Sequence, residues 1–281
     1  MAELLNVIDL SAPGAETRQT AVVLHGILGS AKNWRTFGRR LCARFPQWRI
    51  LLVDLPNHGD SPRRPSPNTL GACVDDLEAL SSALHLEPQV VIGHSYGGKV
   101  ALEWAARPSA HERTTWVLDT NPGAAREDQA RVSSTQVVEV LRALQEIPQP
   151  LSSREALVEW LQDRGFSGIL AQWMTTNLRR DDGGFWWRFS LPGVREMIDH
   201  YAVADFLGDL ESGRLNGRIE LVRAGRTTWP EGDVARLQHM DSDVANSLSY
   251  RVLDDCGHWI HVERPNELLA MLEPSFEPTR R

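Results

Sequence analysis

The stretch Gly93-His94-Ser95-Tyr96-Gly97 decides the fold of this 281-residue chain. Its G-x-S-x-G spacing, between an apolar run and a helix-like segment, is typical of a nucleophile elbow. In that strand-turn-helix a serine is held in a strained conformation, and its neighbours two residues away must be small. Gly93 and Gly97 meet this requirement. The spacing therefore predicts Ser95 as a nucleophile.

A histidine near the end of the chain has the position that a general base needs. His258 lies in Cys256-Gly257-His258-Trp259, shortly after the strand-like segment 249–253. A loop at the C-terminal end of a strand can carry an imidazole over the sheet edge, and Gly257 allows the tight turn before it. We therefore predict that His258 takes the proton of Ser95.

The loop after the first long apolar run offers a donor for an oxyanion. The run 20–24 is followed by His25-Gly26-Ile27-Leu28-Gly29. A second donor is the amide of Tyr96, which the elbow places at a helix N-terminus. We expect the backbone amides of Ile27 and Tyr96 to point together at the substrate oxygen. A plain glycine turn is the alternative for this loop.

Four blocks, taken in order, resemble an α/β-hydrolase and span nearly the whole chain. They are HGILG (25–29), DLPNHGDS (54–61), GHSYGG (93–98) and GHW (257–259). Their residues are most similar to the corresponding motifs of the small serine esterases in the α/β-hydrolase domain-containing protein group. The resemblance implies an acyl hydrolase. In that family the turn that corresponds to 54–61 is structural rather than catalytic.

The acid that would orient His258 has more than one candidate. In most α/β-hydrolases it follows the strand before the histidine strand, but residues 225–228 here are Gly-Arg-Thr-Thr. The next acids, Glu231 and Asp233, suit the first turn of a helix, where they favour the helix dipole. Asp119 ends an apolar run on the side where the histidine arrives. We predict that Asp119 accepts the imidazole N–H, although it could instead cap the turn that follows.

Short apolar runs alternate with helical segments along most of the chain, which predicts a mostly parallel central sheet flanked by helices. The predicted strands are 4–10, 20–24, 48–53, 89–92, 115–118, 218–224 and 249–253. The main predicted helices are 33–45, 68–85, 96–106 and 265–272. Ligands should bind beyond the C-terminal ends of the strands.

The segment 122–205 interrupts this alternation. It has helical stretches near 126–147, 153–164 and 168–178, and no convincing strand. An insertion here resembles the family's helical lid, so we predict core parts at 1–121 and 206–281 and a lid at 122–205. The lid aromatics that we expect to line an acyl pocket are Trp173, Trp186 and Trp187; packing within the lid is the alternative for each of them.

The composition of the chain limits the classes of molecule that the protein is expected to bind. A net charge of −7 and a pI near 5.7 argue against nucleic acid or an acidic membrane surface. No apolar run approaches the roughly 18 residues of a membrane span, and no secretory leader is evident. Three scattered cysteines fit reduced thiols. The sequence therefore predicts a soluble, cytoplasmic protein, and leaves its oligomeric state open.

These features predict hydrolysis of a small-molecule ester of short to medium acyl chain, through an acyl-enzyme. We expect no cofactor and no metal, because serine, base and acid suffice and no metal-ligand spacing occurs. The same triad could instead cleave a C–C bond or a thioester. A receptor-like homologue that binds its ligand without turnover is a third reading. Serine at the elbow speaks against the dehalogenase and epoxide hydrolase branches, which resemble this fold but carry aspartate there.

Overall fold

A computed structural model describes residues 3–11, 19–109, 111–125, 133–242 and 247–277. The strands in these ranges are β1 (Val7–Asp9), β2 (Gln19–Leu24), β3 (Trp48–Val53), β4 (Val90–His94), β5 (Thr114–Leu118), β6 (Leu178–Asp181), β7 (Gly184–Trp187), β8 (Arg218–Ala224) and β9 (Leu248–Leu253). The α-helices are α1 (Arg35–Arg44), α2 (Leu70–Ala83), α3 (Tyr96–Ala105), α4 (Ser133–Glu146), α5 (Arg154–Gln162), α6 (Gly168–Met174), α7 (Leu191–Val203), α8 (Leu207–Glu211), α9 (Glu231–Ser242), α10 (Ile260–Glu263) and α11 (Pro265–Phe276). Two short 3-10 helices are Ala31–Trp34 and Thr175–Asn177.

Seven strands form one sheet in the order β1-β3-β2-β4-β5-β8-β9. All neighbours are parallel except β1, which runs antiparallel to β3. This confirms the predicted, mostly parallel sheet, although the first strand is shorter than expected. The chain moves from β2 to β3 on one side and then to β4 on the other. In sheets with such a reversal of strand order, ligands bind beyond the C-terminal ends of the two strands, here β2 and β4.

Helices cover both faces of the sheet. Along β2, Val22 and Leu24 belong to an apolar cluster that also contains residues of α2, α3 and α9, whereas Ala21 and Val23 belong to one that contains residues of α1 and α11. Alternate residues of a strand point to opposite faces, so a strand buried on both sides needs a continuous apolar run. The runs that predict the strands thus build two apolar layers that hold the ends of β2 and β4 in fixed positions.

The segment between β5 and β8, residues 122–205, is called the insertion below. Its helices α4 to α7 surround an apolar cluster of their own, which also includes Leu28. The predicted helix 126–147 is observed as α4, and its residues 126–132 lie outside the described ranges. Sequence analysis does not anticipate α7, although Ser190 accepts from the Gly193 amide and Pro192 follows at the first turn, as at many helix starts.

The expectation that the insertion has no strand is wrong. Strands β6 and β7 form an antiparallel hairpin across a turn at Gly183. Its outer strand carries exposed Arg179 and Arg180 rather than an apolar alternation. The hairpin is fixed from outside, because Leu151 and Phe185 exchange both backbone hydrogen bonds at 2.9 Å. A pairing with a distant residue leaves no local pattern to read.

Lys99 of α3 ties the two ends of the insertion to the core. Its side chain is buried, and Nζ donates to the carbonyls of Gly123, Tyr201 and Ala204 at 2.8, 3.0 and 2.7 Å. The ammonium also lies 4.5 Å from the centre of the Tyr201 ring. Burial lowers the pKa of Lys99 to about 8. One side chain therefore joins the entry and the exit of the insertion.

None of the helices in the described ranges has both the length and the apolar character that crossing a bilayer requires.

Candidate active site

Ser95 occupies the turn between β4 and α3 with φ 53° and ψ −118°. A non-glycine residue rarely adopts a positive φ, and such strain persists only where the surroundings enforce it. The Ser95 amide donates to the Leu118 carbonyl at 3.0 Å, and Thr120 Oγ1 donates to the Ser95 carbonyl at 2.9 Å. The neighbouring strand β5 thus holds the elbow in its strained form.

The flanking glycines are required by close backbone contacts. A Cβ on Gly97 would lie 2.6 Å from the Leu24 carbonyl oxygen, and one on Gly93 would collide with the Gly97 carbonyl. A Cβ on Gly98 would collide with Thr120. These contacts let α3 start directly against β2 and β4, and they explain the G-x-S-x-G-G spacing in physical terms.

His258 and Asp119 are hydrogen-bonded across the sheet edge. His258 Nδ1 lies 2.6 Å from Asp119 Oδ2. Because Nδ1 donates to this carboxylate, Nε2 carries the lone pair that a base requires. His94, the residue before the elbow serine, donates from Nε2 to the His258 carbonyl at 2.7 Å. The Gly257 amide donates to Glu263 at 2.8 Å. The histidine loop is therefore fixed on both sides of His258.

The carboxylate of Asp119 is buried and fully engaged. Besides the imidazole, Oδ2 accepts from Thr227 Oγ1 at 2.8 Å, and Oδ1 accepts from the Ala224 amide at 3.0 Å. The Asp119 amide donates to Val222 at 2.7 Å, and the residue has φ 45°. Strand β8 and the turn after it, where the family's usual acid is missing, thus supply donors that orient a carboxylate at the end of β5.

The alternative acids lie elsewhere. Asp233 is buried and accepts from Asn121 Nδ2 at 2.9 Å, at the entrance to the insertion. Glu231 is exposed at the first turn of α9. The turn after β5 is capped by Asn121, whose Oδ1 accepts from the Gly123 amide at 3.2 Å. Asp119 is therefore the acid that the fold brings to His258.

The peptide between Gly26 and Ile27 has a defined orientation. Its carbonyl oxygen accepts from His25 Nδ1 at 2.7 Å and from the Gly29 amide at 3.0 Å. The other ring nitrogen of His25 accepts from the Leu55 amide at 3.0 Å. In a planar trans peptide the N–H points away from the carbonyl. Fixing the Gly26 carbonyl therefore also fixes the direction of the Ile27 amide.

The amides of Ile27 and Tyr96 are both available. Within the described part of the chain, no hydrogen bond uses either N–H group. The Tyr96 amide opens α3, where helix N–H groups lack intrahelical partners and carry partial positive charge. The loop 25–29, called the oxyanion loop below after the role predicted for it, approaches the elbow closely, since a Cβ on Gly26 would lie 3.1 Å from the Ser95 Cβ. Two free amides beside a serine are what an oxyanion hole requires.

The turn at 54–61 supports this loop through His58. Nδ1 donates to the Pro56 carbonyl at 3.0 Å, and Nε2 accepts from the Leu28 amide at 3.1 Å. Burial lowers the pKa of His58 to about 3, so the ring is neutral and Nε2 remains an acceptor near neutral pH. Leu28 has φ 57°, which only such restraints maintain.

The three tryptophans predicted to line a pocket have different surroundings. Trp173 is half-buried, and its ring centre lies 5.9 Å from that of Trp259, the residue after His258. Trp186 lies on the hairpin, and its Nε1 donates to Asp181 Oδ1 at the end of β6 at 2.9 Å. Trp187 is buried in the apolar cluster of the insertion. Of the three, Trp173 is the one in contact with a residue of the histidine loop.

Several residues that position this site carry no recognisable signal in the sequence. Thr227 and Glu263 act through contacts with Asp119 and Gly257, and both look like ordinary loop or helix residues in the sequence. His94 could have been singled out by its place beside Ser95. No local pattern marks the others, because their partners are remote in the chain.

Comparison with known proteins agrees with this architecture. The sequence model described as the alpha/beta hydrolase family matches residues 21–271. The sn-1-specific diacylglycerol lipase ABHD11 of Mus musculus is 27% identical over 274 residues, which cover 94% of this chain and 81% of the relative. Lipase LipV of Mycobacterium tuberculosis is 28% identical over 280 residues, which cover 97% and 99% of the two chains.

A solved structure described as a marine microorganism esterase superposes with a TM-score of 0.78 at 19% identity. The match covers 97% of this chain and 99% of that one. At this identity the likeness concerns the fold alone.

Proposed function

Because this chain belongs to the alpha/beta hydrolase family, we propose that it is a serine carboxylic-ester hydrolase acting on short to medium acyl esters. The observation that carries the proposal is the His258–Asp119 pair, at 2.6 Å, in a loop that is hydrogen-bonded to His94, the residue before the strained Ser95. Relatives named as lipases support ester cleavage as the reaction.

The reaction follows from the groups present. His258 Nε2 takes the hydroxyl proton as Ser95 Oγ attacks the ester carbonyl carbon. The carbonyl oxygen becomes an oxyanion, which accepts from the amides of Ile27 and Tyr96. Collapse of this intermediate breaks the C–O bond, and the alcohol leaves with the proton held by His258. Water, deprotonated by the same imidazole, then hydrolyses the acyl-enzyme and releases the acid.

Asp119 serves this cycle without exchanging a proton. Its carboxylate holds Nδ1–H, which keeps Nε2 directed to the serine and stabilises the imidazolium that forms transiently. Its own orientation is fixed by the Ala224 amide and the Thr227 hydroxyl. The family's acid position on β8 is thus replaced by a carboxylate from β5 that β8 still supports.

We further propose that residues 122–205 form a lid on a core made of 1–121 and 206–281. The insertion starts where β5 ends, next to Asp119, and its apolar cluster extends to Leu28 of the oxyanion loop. Trp173 contacts Trp259 and is our candidate for the wall of the acyl pocket. The substrate would then be a small-molecule ester, and a cytoplasmic location remains our expectation.

The proposal is tested with matched acyl groups presented as p-nitrophenyl esters, as thioesters and as vinylogous diketones. We expect the esters to give the highest kcat/KM. A higher kcat/KM for thioesters or diketones would establish the corresponding alternative reaction. Acylation once per molecule without further turnover would instead indicate a ligand-binding homologue.

Among p-nitrophenyl esters, kcat/KM should rise over short acyl chains and then fall. Each buried methylene contributes about 0.8 kcal/mol only where space exists for it, and bulky aromatics of the insertion limit that space. Measuring kcat/KM from two to sixteen acyl carbons tests this. Trp173→Ala should move the optimum to longer chains, whereas Trp186→Ala, on the hairpin, should leave it in place. A value that keeps rising to sixteen carbons would refute the confined pocket.

A further inference from the structure

One buried side chain of the insertion donates a hydrogen bond to the oxyanion loop. Asn177, at the end of the 3-10 helix Thr175–Asn177, is 3% exposed, and its Nδ2 donates to the Leu28 carbonyl at 2.8 Å. The two residues are 149 positions apart in the chain. The bond therefore joins the insertion directly to the residue that follows Ile27.

This contact completes a series of restraints on three successive peptides. The Gly26–Ile27 peptide is held by His25, and the Ile27–Leu28 peptide is held by His58. The peptide that follows Leu28 is held at both of its polar groups, because its carbonyl accepts from Asn177 and its Gly29 amide donates to the Gly26 carbonyl. Of these restraints, the one from Asn177 comes from the insertion and the others come from the core.

Asn177 is itself rigidly held. Its carbonyl accepts from the Arg188 amide at 2.7 Å. The guanidinium of Arg154 donates to the Thr175 carbonyl and, at 3.2 Å, to the Leu178 carbonyl. The 3-10 turn is therefore clamped on both sides of Asn177. A donor held in this way can impose a conformation on its acceptor rather than follow it.

The conformation imposed on Leu28 is one that it would not adopt alone. At φ 57° the residue is strained, and the bond at its carbonyl is one of the restraints that oppose its relaxation toward negative φ. The Leu28 carbonyl shares a planar peptide with the Gly29 amide, which donates to the Gly26 carbonyl, so rotation of this peptide would disturb that bond and with it the direction of the Ile27 amide. An oxyanion donor contributes to catalysis only if it already points at the place where charge develops.

We propose that Asn177 is a positioning residue of the oxyanion hole, which it serves by holding the Leu28 carbonyl and thereby directing the Ile27 amide. This rests on the proposed function. It gives the insertion a part in transition-state stabilisation, in addition to covering the site. The effect should appear in kcat, because the ground-state ester carries no full charge for the amide to stabilise.

The test replaces Asn177 by alanine, and by leucine to keep the side-chain volume, in the full-length chain. We expect kcat to fall about 10- to 100-fold with KM changed less than about threefold. The inhibition constant of a trifluoromethyl ketone, which forms an oxyanion adduct with the serine, should rise by the same factor as kcat/KM falls. Thr176→Val is the matched control, because its hydroxyl donates only within the same turn, to the Trp173 carbonyl at 2.7 Å.

Several outcomes would overturn the proposal. One is a change in KM with unchanged kcat, and another is an unchanged inhibition constant of the ketone beside a reduced kcat. The others are a loss of kcat in Thr176→Val equal to that in the Asn177 variants, or normal kcat in whichever of the two Asn177 variants folds. Failure of both variants to fold would assign Asn177 to stability and would equally refute the catalytic role. Absence of Ser95-dependent ester turnover in the wild-type protein would instead refute the proposed function, before any variant is compared.

Discussion

Replacement of Ser95 by alanine is expected to lower kcat for ester hydrolysis on the order of 10⁴-fold or more. The variant loses the attacking oxygen and nothing else, because alanine keeps the Cβ and meets the same backbone strain at φ 53°. The bonds from Ser95 to Leu118 and Thr120 involve backbone atoms of Ser95, so they survive the change. The fold should therefore remain intact while turnover disappears.

Two measurements check this expectation. A fluorophosphonate should label the wild-type protein at one equivalent and leave Ser95→Ala unlabelled, and thermal unfolding should show similar midpoints for both. Ser212→Ala is a suitable control, because this exposed serine makes only local hydrogen bonds within α8 and should be labelled like the wild type. Stoichiometric labelling of Ser95→Ala at another serine would contradict the assignment.

Asp119→Asn should lower kcat by roughly two orders of magnitude or more, whereas Asp233→Asn should leave activity near normal. An amide at position 119 has one oxygen to serve the Ala224 amide, the Thr227 hydroxyl and the imidazole. It therefore favours the tautomer of His258 in which Nε2 carries the proton. At position 233 the same change affects a contact with Asn121 at the entrance to the insertion.

The comparison needs kcat on one good ester substrate, with thermal unfolding of both variants as a check on folding. Because both carboxylates are buried, the two substitutions remove a comparable buried charge, and a general effect on stability would appear in both. If Asp233→Asn lost activity and Asp119→Asn kept it, the acid of the triad would have to be reassigned to α9.

The sequence predicts the framework of this protein because its strands are buried on both faces. A continuous apolar run such as 50–53 is typical of a buried strand, and the strand predicted at 48–53 has the same bounds in the structure. The elbow is equally readable, since Gly93 and Gly97 are imposed by contacts within a few residues and with the adjoining strand. The role of Asp119 is harder to predict from the sequence, but its place at the end of an apolar run indicates the sheet edge where it lies.

What the sequence does not reveal depends on distant partners. The hairpin of β6 and β7 is fixed by Leu151, and its outer strand is charged and exposed. Thr227 and Asn177 are common polar residues whose importance comes from one contact each, with Asp119 and with Leu28. Local propensity has no access to such contacts, because they exist only once the chain has folded.

Lys99 has a consequence for how this enzyme could change during evolution. Gly123 and Ala204, near the two ends of the insertion, both bind the same ammonium, so the intervening chain leaves the core and returns to it at one point. Such a segment can be lengthened, shortened or exchanged for another without altering the spacing of the sheet. Exchange of the insertion could therefore change the substrate specificity while the sheet stays the same. A segment that replaced the insertion would also have to supply a hydrogen-bond donor to the Leu28 carbonyl, as Asn177 does.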